Sequence, residues 1–132
     1  MGNRAVITFM KADSAPCIYL HWNGGRASVE GFLRAARDLG MRRIDAKNQT
    51  QIMDAMAEMI GRNFFGNDVG MSVYRETYGR ADKDNWDNGV YVLGFDMEIC
   101  GREFCRGGEE VNAEKSKYIY ESIMATAPIY NQ

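Results

Sequence analysis

At 132 residues, with 45% hydrophobic and 26% charged positions, the chain has the size and composition of one globular domain with a single core. Its formal net charge of −2 lacks the basic excess of a nucleic-acid binder, and no apolar run approaches the roughly 20 residues that span a bilayer. Cys17, Cys100 and Cys105 form no Cys-x-x-Cys pair and His21 is the one histidine, which disfavours a disulfide framework or a zinc site. No apolar h-region of signal-peptide type stands near the N-terminus. Together these predict a reduced, cytoplasmic protein with buried or half-buried thiols and no cofactor.

In chain order, residues 4–10 (Arg-Ala-Val-Ile-Thr-Phe-Met) are β-branched and aromatic and predict a first strand. A turn over 11–16 leads to a second strand over 17–22, and the short connection makes the two a hairpin. Alternation sets Ile18, Leu20 and Trp22 on one face and Cys17, Tyr19 and His21 on the other. After Asn23-Gly24-Gly25-Arg26, Ser28 is the expected N-cap of a helix over 29–39, stopped by Gly40. Phe32, Leu33, Ala36 and Leu39 form its apolar stripe, while Arg34, Arg37 and Asp38 face out.

A basic linker over 41–47 precedes a second helix, capped by Asn48 or Thr50 and running to about Phe64. Ile52, Met53, Met56, Met59, Ile60 and Phe64 line its inner face, and residues 66–70 end it. A third strand covers 72–78. A polar loop over 80–89 ends in Asn88-Gly89, a hairpin signal.

The stretch over 90–99 (Val-Tyr-Val-Leu-Gly-Phe-Asp-Met-Glu-Ile) is the strongest strand signal, with Tyr91, Leu93, Phe95, Met97 and Ile99 alternating toward a core. Cys100-Gly101 then allows a tight turn into a short last strand over 102–105, followed by a loop over 106–108. Asn112 caps a final helix to about Ala125, with Ile119, Ile123 and either Tyr118 or Ser122 inward, and Pro128 forbids its continuation. The order ββααβββα, without regular βαβ alternation, predicts an α+β domain: a mainly antiparallel sheet of about five strands with about three helices on one face.

Two stretches are candidates for function. The first is the strand–Gly-Gly–helix turn, with Tyr19, His21, Trp22, Gly24, Gly25, Arg26 and Ser28 as candidate ligand-binding residues. Backbone N–H groups and the helix dipole favour an anion there, Tyr19 or Trp22 can stack on a ring, and Arg26 can pair with a phosphate. The alternative is a plain turn, with Gly-Gly supplying positive φ and Trp22 in the core. The second is the acidic loop Asp82, Asp84 and Asp87 around Trp86, which lacks the glycine and oxygen ligands of an EF-hand but suits contact with a basic protein surface. Arg34 and Arg37 are the further candidates for protein contact. No Ser/His/Asp arrangement or carboxylate pair marks an enzyme.

The segment Ile-Tyr-Leu-His-Trp-Asn-Gly-Gly, over 18–25, resembles a stretch in small uncharacterised proteins of phages and bacterial mobile elements, where it also follows an N-terminal strand. The resemblance covers roughly the first third of the chain and brings no catalytic residues with it. It implies a setting in which short non-enzymatic inhibitors of host defence, anti-CRISPR proteins among them, are common. The expectation is a stoichiometric, non-enzymatic protein that binds a bacterial host protein or complex, or a second copy of itself. The alternative is a protein that binds or sequesters a nucleotide-like molecule at the Gly-Gly turn.

Overall fold

Alternating aliphatic residues make the first two strands, and they close the expected hairpin. In the computed structural model, which describes residues 3–64, 72–106, 109 and 112–126 apart from the side chains of Phe64 and Thr126, β1 is Ala5–Thr8 and β2 is Pro16–Leu20. They are followed by α1 (Arg26–Asp38), α2 (Gln49–Phe64), β3 (Val73–Thr77), β4 (Val90–Leu93), β5 (Ile99–Glu103) and α3 (Ala113–Thr126). The α+β class and the order ββααβββα stand. The expected helix stop at 66–70, the loop at 107 and 108, and Pro128 lie outside the described residues.

The strand order is β3-β2-β1-β4-β5. The β1/β2, β2/β3 and β4/β5 pairs are antiparallel, while β1 and β4 run parallel, so the sheet is mixed with one parallel seam at its centre. Ala5, Ile7, Ile18, Leu20, Val73, Tyr91 and Leu93 face the helices and share one core with Phe32, Leu33, Met53, Met56, Met59, Ile60, Ile119 and Ile123. Each fully buried large side chain among them contributes roughly 1.5–3 kcal/mol of transfer free energy. The opposite face of the sheet carries a smaller core of Val6, Cys17, Tyr19 and Val90, roofed by Ala15, Tyr78 and Ala81.

That roof corrects one expectation. Asn88-Gly89 does turn the chain, with Gly89 at φ +65°, but β3 and β4 are not a hairpin. The segment between them crosses the helix-free face past β2 and β1. It is drawn there because Asn88 N–H donates to the Arg4 carbonyl at 3.1 Å and Val6 N–H to the Gly89 carbonyl at 2.8 Å.

The strand expected over 90–99 stops at Leu93. Gly94 N–H donates to the Glu98 carbonyl at 2.8 Å, Met97 N–H to the Gly94 carbonyl at 3.1 Å, and Asp96 Oδ1 accepts from Glu98 N–H at 3.1 Å. These bonds close a tight turn in which Met97, at φ 65°, swings back into the core while Phe95 is left 58% exposed. Cys100 and Gly101 are therefore strand residues of β5 rather than a turn, and Cys100 stands exposed.

Helix α1 begins three residues earlier than Ser28 would place it: its N-cap is Gly25, with no side-chain cap, and Ser28 is a buried residue of the first turn. The Ser28 hydroxyl has no hydrogen-bond partner, so it caps nothing. Gly40, at φ 109°, ends α1 as expected. At α2 the Asn48 carbonyl accepts the first helical bond from Ile52 N–H at 2.9 Å, and Thr50 lies inside the helix. Asn112 caps α3 through Lys115 N–H at 3.0 Å. Helix α3 crosses α1 at Gly31, where an added Cβ would lie 2.8 Å from the Ser116 carbonyl, and Ser116 Oγ donates to the Ala27 carbonyl at 2.6 Å.

Candidate functional site

The strand register gathers the starts of β1, β3 and β4 with the ends of β2 and β5 at one end of the sheet: Ala5 lies opposite Leu20, Leu20 opposite Val73, Val6 opposite Val90 and Val90 opposite Glu103. The chain leaving β2 carries His21 and Trp22 there, the chain entering β4 carries Trp86, and the chain leaving β5 carries Phe104. Trp22 is 44%, Trp86 69% and Phe104 45% exposed. Trp22 is thus not a core residue, because β2 ends at Leu20 before its alternation reaches Trp22.

The same end carries left-handed backbone at non-glycine residues: Asn23 at φ 59°, Trp86 at φ 65° and Phe104 at φ 54°. Asparagine tolerates that region, but a tryptophan and a phenylalanine there each cost about 1–2 kcal/mol. Held strain of this kind concentrates where side chains are aimed outward for recognition.

A row of rings leads up to Trp22. Tyr74 and Tyr19 lie 4.9 Å apart, Tyr19 and His21 6.1 Å, and His21 and Trp22 meet edge to face at 5.1 Å. Tyr19 Oη and His21 Nδ1 share a hydrogen bond of 3.0 Å. Burial, with the Asp82 carboxylate next in effect, pushes the Tyr19 phenol up to about 12. Glu76 accepts from Thr77 N–H at 2.9 Å. Burial, and then the Glu76 carboxylate, push the Cys17 thiol up to about 12, which favours the protonated form.

The acidic loop divides into a fixed part and a free-standing part. Asp87 accepts from the Arg4 backbone N–H at 3.1 Å and from Arg4 Nε at 2.8 Å, and its side chain is only 8% exposed. Asn85 is buried: its Oδ1 accepts from Asp87 and Gly89 N–H groups at 3.1 and 3.0 Å, and its amide donates to the Asp82 carbonyl at 3.0 Å. Asp87 is therefore a structural residue rather than a contact for a partner. Asp84 pairs bidentately with Arg106, at 2.9 and 2.6 Å, and the Arg106 guanidinium lies 4.5 Å from the centre of the Trp86 ring. Asp82 and Asp84 are exposed, so Asp82, Asp84 and Trp86 present an outer surface while Asn85 and Asp87 anchor it.

Burial would raise the Asp87 carboxyl, but the Arg4 bonds outweigh it and hold the group below its ordinary value. A carboxyl depressed in the folded state adds stability above the unfolded-state pKa and loses it as pH falls through the folded value. Asp87→Asn should therefore melt earlier than the parent at neutral pH, with the gap closing on acidification below the ordinary carboxylate range of about 4. Melting curves against pH that stay parallel would show the Arg4–Asp87 pair to be idle.

The Gly-Gly turn serves packing more than cradling. Gly24 N–H donates to the Asn3 carbonyl at 2.8 Å, and the Gly24 carbonyl accepts from Tyr91 Oη at 2.6 Å. A Cβ on Gly24 would sit 2.5 Å from the Asn3 carbonyl oxygen, so glycine is there for close approach. Neither glycine has positive φ; Asn23 takes that conformation instead, and Gly25 is extended at φ −67°. Tyr19 lies on the helix-free face and Ser28 is sealed in the core, so the predicted ligand set does not converge on one pocket.

The expected outward arginines of α1 are both engaged. Arg34 stacks on Tyr120 at 3.9 Å, and Arg37 is half-buried with its Nη1 donating to the Met97 carbonyl at 2.9 Å. Arg26 pairs with Glu30 at 3.2 Å and with Glu109 at 3.4 Å. Phe104, Arg102, Arg106 and Glu109 join these sites without any sequence signal, since only the β4–β5 turn brings them alongside Trp86 and Arg26.

Among the described residues, no cluster of His, Cys, Asp and Glu side chains is placed to hold a metal ion, and no helix is long and apolar enough to cross a membrane. The chain matches no protein-family model, and no curated protein or solved structure is detectably similar to it.

Proposed function

We propose that this protein is a non-enzymatic binding protein that engages a protein partner through the aromatic end of its sheet. The observation that carries this reading is Trp86, 69% exposed and held in left-handed backbone between two anchors of its loop, the buried Asn85 and the half-buried, Arg4-bonded Asp87. A rigid, exposed tryptophan ringed by charged side chains has the composition of an interface hot spot. Trp22 and Phe104 add exposed apolar surface at the same end of the sheet, and Asp82, Asp84 and Arg106 supply charge beside Trp86.

The narrower reading is a stoichiometric inhibitor of a bacterial defence system acting in the cytoplasm on a host protein or complex. Its support is the Ile-Tyr-Leu-His-Trp-Asn-Gly-Gly resemblance together with an exposed recognition surface. The test has two stages. Trp86→Ala is expected to shift the melting temperature by less than about 2 °C, as surface substitutions do, and to abolish capture of the partner from a bacterial lysate. Trp22→Ala is expected to weaken capture and also keep its fold. Phage plating on a host carrying an active defence system then reports inhibition: protection should be lost with the parent protein and retained with Trp86→Ala. If Trp86→Ala melts much earlier and captures the same partner, the aromatic end is structural. Sedimentation of the parent separates a self-associating surface from one that awaits another protein.

A further inference from the structure

Two adjoining hollows follow the outer face of α1, one of about 460 Å³ toward the start of α3 and one of about 250 Å³ toward the β4–β5 turn. The larger has the size of a small-molecule site. Arg26, Arg34 and Lys117 line it, against Glu30 and Glu109. A fourth cation, Arg102, is not part of the lining but reaches Glu109 from β5.

Arg102 is the unusual member. Its side chain is 14% exposed, its Nε and Nη2 donate to the Val90 and Asn88 carbonyls at 3.2 and 2.6 Å, and its guanidinium lies 3.7 Å from the centre of the Tyr91 ring. The group is thus fixed in place before any ligand arrives. A guanidinium this deep needs a counter-charge. Among the described residues the carboxylate that supplies it is Glu109, through Arg102 Nη1, while Arg26 Nη1 approaches the other Glu109 oxygen at 3.4 Å. Glu109 itself is 39% exposed and lies between β5 and α3.

Two guanidiniums therefore converge on one singly charged carboxylate at the mouth of a groove. Arg26 also pairs with Glu30, so the positive surplus belongs to the groove as a whole, where Arg26, Arg34, Lys117 and the adjoining Arg102 stand against Glu30 and Glu109; a phosphate, with more charge and three oxygens, matches the paired forks better than a carboxylate does. We propose that Arg26 and Arg102 form a binding site for the phosphate of a small phosphorylated ligand lying in the α1–α3 groove, and that Glu109 occupies the site as an internal competitor. With Glu109 out of it, Glu30 is the carboxylate that remains among the described lining residues, against Arg26, Arg34 and Lys117, with Arg102 adjoining. The site lies on the helix-covered side of the molecule and does not depend on the aromatic end.

Titration calorimetry with inorganic pyrophosphate at low ionic strength tests this. Glu109→Gln, which keeps the shape and removes the competing charge, is expected to bind about tenfold more tightly than the parent. Adding Arg26→Gln to it should reverse the gain. Arg26→Gln alone should weaken binding to the parent protein, which decides the matter if Glu109→Gln does not fold. Equal affinity in the parent and Glu109→Gln, unchanged affinity in Arg26→Gln, or no heat of binding in any of them would overturn the proposal.

Discussion

Leu93→Ala is expected to lower the free energy of unfolding by about 2–5 kcal/mol, and Phe95→Ala, two residues on, by less than about 1 kcal/mol. Both positions belong to the same run of alternating apolar residues. Leu93 is the last residue of β4 and 1% exposed, against the helix-side core of Ile7, Phe32 and Met97. Removing it leaves a cavity that flanking strands cannot close, since β1 and β5 hold β4 on both sides. Phe95 sits on the turn instead, 58% exposed, with an edge contact to Phe9 at 5.4 Å and Arg43 at 5.3 Å from its ring centre. Chemical denaturation of the two variants decides; comparable losses would mean that the strand runs on through Phe95.

Gly89→Ala should be as damaging by a different route, at about 2–5 kcal/mol for a single methyl group. Gly89 is at φ +65°, and a Cβ there would lie 2.1 Å from the Glu103 carbonyl oxygen and 2.4 Å from the Phe104 carbonyl carbon. Both are backbone atoms, so no side chain can swing aside. Relief requires moving either β5 or the Gly89 carbonyl that accepts from Val6 N–H, and the second choice opens the parallel seam. Gly101→Ala is the control: its nearest contact would be Val92 Cβ at 3.6 Å, ordinary packing distance, and its effect should stay within about 0.5 kcal/mol. Thermal melts of both variants would show whether conformation and close approach, rather than glycine loss in general, set the cost.

The contrast between Leu93 and Phe95 also shows what local pattern can and cannot carry. Composition and period two located the first four strands, and alternation gave the inward faces of β1 and β2, because Ile7, Ile18 and Leu20 alternate within single elements; β5 was displaced, since Cys100 and Gly101 read as a turn. It failed at residues 94–98, where a turn happens to preserve the alternation of apolar and polar residues. Only a hydrogen bond between residues 94 and 98 distinguishes a strand from a strand and a turn, and apolar pattern says nothing about it. Asn88-Gly89 was legible as a turn, yet its use in a crossover rests on Arg4 and Val6, far away in the chain. The candidate site followed the same rule. Trp86 was legible as exposed, because polar residues surround it. The Arg26–Glu109–Arg102 meeting was not, because Arg26 lies more than 70 residues before the other two.

The central position of β1 has a consequence for synthesis on the ribosome. Once residues up to 77 have emerged, β1, β2 and β3 can pair and α1 and α2 can cover one face. The far edge of β1 then offers unpaired backbone groups along Ala-Val-Ile-Thr until β4 follows, and its partner Val90 is still to be translated. An uncovered apolar edge in a nascent chain is a template for pairing with the wrong strand. The segment over 78–89 is polar and is made just before β4, so the last strand pair to close at the centre of the sheet is guarded by a soluble leader. Slow codons placed after residue 77 are therefore expected to raise the insoluble fraction without altering the folded product, which comparing soluble yields of synonymous genes would check.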